Sequence, residues 1–249
     1  MACADDPGSA RLAAAAAAGG RDVRRYGSTP DADLQLRDLV LVGGSATYTA
    51  HWRGSRLGEV RLQVPGRHNA LNSAAALAAG LGLGLSFAPL AAGLASFTGA
   101  RRRFELKGTA AGVRVIDDYA HHPTEVAAAL HAARQVAAGG RVLAIFQPHR
   151  YSRTAGFADA FGAALAAADE VLVMEVYSAG EDPIPGVSGG TVAQAVPLPP
   201  GRVTFERSWV AVAEHMAGLA RPGDVILTLG AGDVTMLGPE LLHTLEPDG

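Results

Sequence analysis

The chain has 249 residues, of which 49% are hydrophobic and 18% charged, and its formal net charge is −3. This composition excludes a disordered chain, and the slightly negative charge gives no indication of nucleic-acid binding. Cys3 is the only cysteine, so an intrachain disulfide is excluded and we expect a reducing, cytoplasmic location.

The first part of the chain combines helical patterns with strand-like ones. The predicted elements, in chain order, are a helix over 10–18, a short strand over 21–26, and a hairpin of strands over 47–52 and 57–64. The stretch 69–100 carries no charge and is long enough to span a membrane. Its asparagines, proline and many alanines favour two buried helices that separate near 86–89, so we expect no membrane span. A change of composition at 97–100 predicts two domains, 1–99 and 100–249.

The second part of the chain alternates short apolar runs with Ala-rich helical stretches. Its predicted elements are strands over 113–116, 142–146, 171–176, 203–205 and 225–229, and helices over 123–138, 154–168 and 208–220. This order predicts an α/β domain with a mostly parallel, doubly wound sheet. Ligands bind at the carboxyl ends of such strands, so the two loops that begin at Asp117 and Gln147 are expected to be adjacent and to form an anion site.

The first of these loops carries two carboxylates, a phenol and two imidazoles. Asp117 and Asp118 end a predicted strand, so one side chain is expected in the cleft and the other inside the structure. Tyr119 and His121 are two residues apart and should face the same side. A histidine beside Asp-Asp-Tyr favours a functional role for His121, whereas His122 is expected to cap or pack against the following helix.

The second loop carries two arginines at the start of a predicted helix. Arg150 and Arg153 are three residues apart, so both guanidinium groups could bind one carboxylate or phosphate together with the helix-terminal amides. The alternative is an exposed arginine pair. His149 and Tyr151 are expected to point the other way and to pack.

Three weaker signals lie outside these loops. His68 and Asn69 are expected at a helix N-terminus with Asn72 one turn later, where they suit either a nucleotide or metal-bound phosphate, or simple capping by Asn69. Arg102 either reaches an interdomain cleft or only solvates the linker. The segment 230–233, Gly-Ala-Gly-Asp, is a weak signal for a glycine-rich phosphate turn. The chain contains no G-x-x-x-x-G-K-[ST] loop.

Together these motifs resemble the Mur ligases of peptidoglycan synthesis, and within that family the UDP-N-acetylmuramate–L-alanine ligase (MurC) type. The segments that carry the resemblance are Gly66–Asn72, Arg102–Glu105, Asp117–Glu125, Gln147–Thr154, Tyr177–Glu181 and Gly230–Asp233. Ala120 stands where the family usually has glycine. The resemblance implies that 1–99 is the later half of a central ATP-binding domain and that 100–249 is a Rossmann-like, amino-acid-binding C-terminal domain. The UDP-sugar domain and the P-loop are missing, so we expect a fragment whose partner is the missing N-terminal portion of the same enzyme.

The resemblance also implies a reaction and a set of roles. The reaction is the ATP-dependent ligation of L-alanine to UDP-N-acetylmuramate through an acyl phosphate, with ATP and Mg²⁺ as cofactors. The implied site residues are Tyr119, His121, Arg150 and Arg153 for the amino acid and the reacting carboxylate, Arg102 and Asp117 for the nucleotide, His68 for Mg²⁺, and Asn69 and Asn72 for the adenine.

Two alternatives stay open. One is a ligase that recycles murein peptides onto the same sugar nucleotide, and the other is a non-catalytic Rossmann-like module that binds an anion or a protein. A metal hydrolase is disfavoured because the residues that would build it, Asp117, Asp118, His121 and His149, provide no clear bridging-ligand set.

Overall fold

The computed structural model of the chain describes residues 1–246. It divides into two compact units, Met1–Thr98 and Gly99–Gly249. The first unit is built from β1 (Ala2–Cys3), α1 (Pro7–Ala18), β2 (Arg25–Gly27), β3 (Leu34–Val42), β4 (Ser45–Trp52), β5 (Ser55–Leu62), α2 (Arg67–Gly82) and α3 (Phe87–Ser96). Its sheet has the order β1-β2-β3-β4-β5, in which β1 to β3 are parallel and β3 to β5 antiparallel.

The predicted hairpin and the two helices after it are confirmed in the first unit. The hairpin turn consists of Arg53 and Gly54, which both have positive φ angles (48° and 83°), as a tight turn between twisted strands requires. The predicted strand over 21–26 is wrong except at its end, because β2 begins at Arg25. The sequence analysis missed β3, whose alternation is interrupted by a bulge after Arg37, where Asp38 has a φ of 52°.

Small side chains let α2 pack closely on this sheet. Ala70, Ala74 and Leu77 are fully buried against the sheet residues Leu34 and Val60. Neither α2 nor any other helix within residues 1–246 is long and apolar enough to cross a membrane.

The second unit is a doubly wound α/β domain, as predicted. Its elements are β6 (Glu105–Ala110), β7 (Val113–Asp118), α4 (Pro123–Ala137), β8 (Val142–Phe146), α5 (Tyr151–Leu165), β9 (Glu170–Met174), α6 (Gly189–Ala195), β10 (Val203–Glu206), α7 (Trp209–Leu219), β11 (Val225–Leu229), a 3₁₀ turn (Asp233–Met236) and α8 (Leu237–Leu245). The sheet order is β10-β9-β8-β11-β7-β6, and every neighbouring pair is parallel except β7 and β6.

Both faces of this sheet are covered by helices, which explains why its central strands are continuous apolar runs. Helices α4, α5 and α6 cover one face and α7 and α8 the other. In β8, Phe146 packs toward the first face and Ile145 toward the second, and both are fully buried. The sequence analysis missed α6, which starts with two glycines, a residue type that disfavours helices.

The position of β11 decides which loops meet. This last strand lies between β7 and β8. The sequence analysis expected the loops after Asp118 and Phe146 to be adjacent, but the strands that carry them are not neighbours in the sheet, and the two loops meet through their side chains. The turn that begins at Gly230 lies between them.

Candidate functional site

A row of four rings crosses the carboxyl ends of β7, β8 and β9. The rings of Tyr119 and His121 meet edge to face with their centroids 5.1 Å apart, and His149 lies 6.1 Å from His121. His149 in turn stacks on Tyr177 at 5.5 Å, with an interplanar angle of 15°. The prediction that Tyr119 and His121 share a side is therefore confirmed. The prediction that His149 points away is wrong, because a parallel bridge between its backbone and Tyr177 places it in the row.

The sequence analysis named Tyr177 only as part of the segment Tyr177–Glu181 and gave it no role in the site. It follows β9, whose carboxyl end lies on the same edge of the sheet as those of β7 and β8. The rule that ligand loops follow parallel strands could have identified it.

His121 is oriented by its own loop. Its Nδ1 lies 3.0 Å from the carbonyl oxygen of Tyr119 and 3.3 Å from a carboxylate oxygen of Glu125. Two acceptors at Nδ1 favour the tautomer with the proton on that nitrogen, which leaves Nε2 as the acceptor. His122 caps α4 by accepting from the Thr124 amide, and its ring packs on Phe157, as predicted.

The two arginines of the second loop have different partners. Arg150 is the N-cap of α5 with a φ of 72°, and its guanidinium lies 3.8 Å from a carboxylate oxygen of Glu181. Arg153 Nη1 lies 3.5 Å from both Nδ1 and the carbonyl oxygen of His149. Burial, and secondarily the charge of Arg153, lowers the pKa of His149, which favours the neutral form of this imidazole.

The amide expected to receive an anion at the start of α5 is bonded within the chain. The carboxylate of Glu181 accepts from the Ser152 backbone N–H at 2.9 Å and from its hydroxyl at 2.6 Å. These hydrogen bonds lower the pKa of Glu181. An anion at this position would therefore bind to the arginine side chains, or else displace Glu181.

Asp117 and Asp118 are both buried, so the expectation that one of them lies in the cleft is wrong. Asp117 is 0% exposed and accepts from the hydroxyls of Thr228 at 2.7 Å and Thr235 at 2.8 Å. It also accepts from Arg102 Nε at 3.3 Å. The cause is the sheet order, which places β11 and its hydroxyl directly beside β7.

Arg102 is held in place by the turn that follows β11. Its Nη2 donates to the carbonyl oxygens of Gly230 at 2.7 Å and Gly232 at 3.1 Å, and the guanidinium lies 4.9 Å from the ring centroid of Tyr119. The Gly230 amide donates to the carbonyl oxygen of Asp118. Two carbonyl oxygens of this turn therefore face a cation and its first amide is bonded within the chain, and phosphate binding by the turn stays a prediction.

The remaining predicted residues lie on α2 in the first unit. His68 and Asn69 are half-buried in its first turn, and Asn72 is exposed one turn later. Asn69 does not cap the helix, since Gly66 is the N-cap and the Asn69 side chain donates to the carbonyl oxygen of Pro65 at 2.7 Å. Within residues 1–246, no group of three or more His, Cys, Asp or Glu side chains converges as a metal site.

Comparison with known proteins identifies the family. The model of the family "Mur ligase, glutamate ligase domain" matches residues 102–232. The chain belongs to the Mur ligase family. A UDP-N-acetylmuramate–L-alanine ligase from Acidothermus cellulolyticus is 57% identical over 98% of this chain and 52% of its own length. The chain thus spans about half the length of the curated relatives it matches.

Solved structures agree with this assignment. The crystal structure of UDP-N-acetylmuramate–alanine ligase MurC from Thermotoga maritima has a TM-score of 0.73 and 28% identity, over 88% of this chain and 47% of that one. MurF ligase from Thermotoga maritima, solved in complex with ADP, has a TM-score of 0.70 over 97% of this chain and 52% of that one. At 20% identity the second likeness shows the fold alone. The predicted family is confirmed.

Proposed function

We propose that this chain provides the amino-acid site, and part of the ATP-binding domain, of a cytoplasmic ligase that joins L-alanine to UDP-N-acetylmuramate in peptidoglycan synthesis. The relatives that carry this name support the proposal. The observation that carries it is the ring row with Arg150 and Arg153 beside it, at the carboxyl edge of a parallel sheet.

The chemistry of these side chains suits an amino acid that must attack a carboxyl derivative. Arg150 and Arg153 offer charge-assisted hydrogen bonds to a carboxylate. The amine must lose its proton before it attacks, and the Nε2 of His121, which the contacts of Nδ1 leave as an acceptor, would receive it. The lowered pKa of His149 reduces the repulsion that this imidazole would exert on an ammonium group. Guanidinium groups also stabilise the negative charge that develops as the new bond forms.

ATP fits the described residues only in part. Both carboxylate oxygens of Asp117 already accept hydrogen bonds, so we propose that Asp117 acts on the nucleotide through Arg102. The Nε and Nη2 of Arg102 are also engaged, which leaves its Nη1 for a phosphate. Asn69 and Asn72 would contribute the adenine contacts. With no P-loop in its sequence, the 249-residue chain by itself is expected to hydrolyse no ATP.

Mg²⁺ does not fit the described residues by themselves. This ion prefers about six oxygen ligands, and His68 belongs to no converging group of acidic side chains within residues 1–246. His68 would be one ligand at most, with the others supplied by phosphate, by water or by residues outside this chain.

The proposal is tested in a complete ligase that contains this chain, by phosphate release in the presence of ATP, UDP-N-acetylmuramate and L-alanine. His121→Ala and Arg150→Ala are expected to lower L-alanine-dependent turnover about 100-fold or more. The matched controls are His131→Ala, an exposed histidine on α4, and Arg221→Ala, an exposed arginine after α7. Both controls should retain near-normal rates.

Three results would overturn the proposal. Near-normal turnover by both variants would remove them from the site. Turnover with a murein tripeptide but not with L-alanine would indicate the recycling ligase. Binding of an anion without turnover by the complete protein would indicate a non-catalytic module.

A further inference from the structure

Asp118 joins two segments of the chain that meet at the proposed site. Its Oδ1 accepts from the Ala120 amide at 2.7 Å, and its Oδ2 accepts from the Phe104 amide at 2.8 Å. Ala120 lies between the site residues Tyr119 and His121. Phe104 belongs to the segment that follows the unit boundary at Thr98 and Gly99. One side chain thus connects the entry of the second unit with the loop that carries the proposed site.

This carboxylate is in an unfavourable electrostatic position. Asp118 is 6% exposed, and within residues 1–246 no ion pair involves it. Burial raises its pKa to about 6, although the hydrogen bonds from the Ala120 and Phe104 amides, and then the charge of Arg103, act in the opposite direction. A buried charge without an ion-pair partner costs free energy, which a neutral side chain would avoid. A carboxylate is nevertheless the side chain that offers two acceptor oxygens to two N–H donors at once.

The segment that Asp118 holds has an uncommon backbone conformation. Arg102 and Phe104 have φ angles of 57° and 52°, a region that residues other than glycine seldom adopt. A further hydrogen bond joins the same two segments: the Tyr119 amide donates to the carbonyl oxygen of Arg102 at 2.7 Å. In this conformation the guanidinium groups of Arg102 and Arg103 lie 4.9 Å and 5.5 Å from the ring centroid of Tyr119.

We propose that Asp118 is a positioning residue for the amino-acid site: by fastening residues 102–104 to residues 119–121, it sets where the Tyr119 ring and the His121 imidazole lie. It acts through backbone amides and does not touch the substrate. This inference rests on the proposed function. The two hydrogen bonds that Asp118 accepts from the Phe104 and Ala120 amides, called the tie below, can nevertheless be measured without any activity.

The first test uses the 249-residue chain and the variant Asp118→Asn. An asparagine keeps the shape of the side chain but replaces one acceptor oxygen with an NH₂ donor, so one of the two amides loses its partner. Hydrogen exchange followed by NMR is expected to be at least about 10-fold faster at Phe104 or Ala120, and unchanged in the middle of α4. Asp159→Asn, an exposed aspartate on α5, is the matched control.

The second test uses the complete ligase. A displaced site loop should raise the KM for L-alanine, or lower kcat, by about 10- to 100-fold. The KM for ATP should rise less than that for L-alanine, because Arg102 in the same segment keeps its own contacts with Asp117 and with the turn at Gly230, and the KM for UDP-N-acetylmuramate should stay near that of the wild type. A merely structural role would instead change all three KM values together with the melting temperature.

If Asp118→Asn fails to fold, the wild-type chain still provides a measurement. Protonation of Asp118 near pH 6 removes one acceptor, so the amide proton resonances of Phe104 and Ala120 should shift in that range. Unchanged amides in the variant, or amides that do not titrate in the wild type, would overturn the tie. If the amides behave as expected but the wild-type ligase does not turn over L-alanine, the proposed function is overturned and the tie is not.

Discussion

Thr228→Val is the most direct test of the buried hydrogen-bond network beneath the site. Thr228 is fully buried in β11, and its hydroxyl donates to Asp117 Oδ1 at 2.7 Å. Valine has nearly the same shape but no donor, so the buried carboxylate of Asp117 retains only Thr235 and Arg102. A hydrogen bond to a charged group contributes about 1.5–3 kcal/mol. In a domain of this size each kcal/mol shifts the melting temperature by about 2–4 °C, so we expect a decrease of roughly 3–12 °C.

The measurement is thermal unfolding followed by circular dichroism, with urea unfolding to obtain the free energy. Thr228→Ser is the matched control, because it keeps the hydroxyl and loses one buried methyl group, worth about 1 kcal/mol. A Thr228→Val protein that melts within about 1 °C of the wild type would refute the reasoning. So would a Thr228→Ser protein that is destabilised as much as the valine variant.

Two further predictions concern stability. Between about pH 4 and pH 6 the folded chain keeps the Asp118 proton that the unfolded chain loses near pH 3.8, so this residue's contribution to stability falls as the pH rises. An asparagine at this position has no such proton to lose, so the stability of Asp118→Asn should rise relative to that of the wild type as the pH increases. We expect the difference in unfolding free energy between the two proteins, measured by urea titration, to change in favour of the variant by on the order of 2–3 kcal/mol from pH 4 to pH 7. A difference that does not depend on pH would contradict this. Gly232→Ala should cost about 1–3 kcal/mol, because the new Cβ would contact Gln147 and lie 2.7 Å from the Tyr177 ring. The control is Gly156→Ala on α5, which has open space around it and should be neutral or stabilising in the same melting assay. Equal melting temperatures for the two variants would show that the turn around Gly232 accommodates the new methyl group without cost.

The parallel sheet was predictable because its signal is local. The strands β7, β8 and β9 are short apolar runs, each followed by a turn or an Ala-rich helix, and such runs indicate strands buried on both faces. β3 and β6 were not predictable in this way, because a bulge interrupts the alternation in each of them. The edge strand β6 also carries the only lysine of the chain, Lys107.

The site was predictable as a set of residues but not as an arrangement. The motifs around His121 and Arg150 resemble a family that the comparisons confirm. Spacing along the chain could not show that His149 stacks on Tyr177, because these residues follow different strands. It also could not show that Glu181 bonds to the start of α5.

The sequence by itself determined the family, the alternation of strands and helices, and which loops carry chemistry, because each of these is recorded in residues close together along the chain. Only the tertiary structure decided that the last strand, β11, lies between β7 and β8. That insertion places Thr228 against Asp117 and the Gly230 turn against Arg102. It therefore buries the Asp117 carboxylate, which the sequence alone left as a candidate for the cleft. The sequence could not show this, because strand order depends on packing between distant segments and not on local pattern.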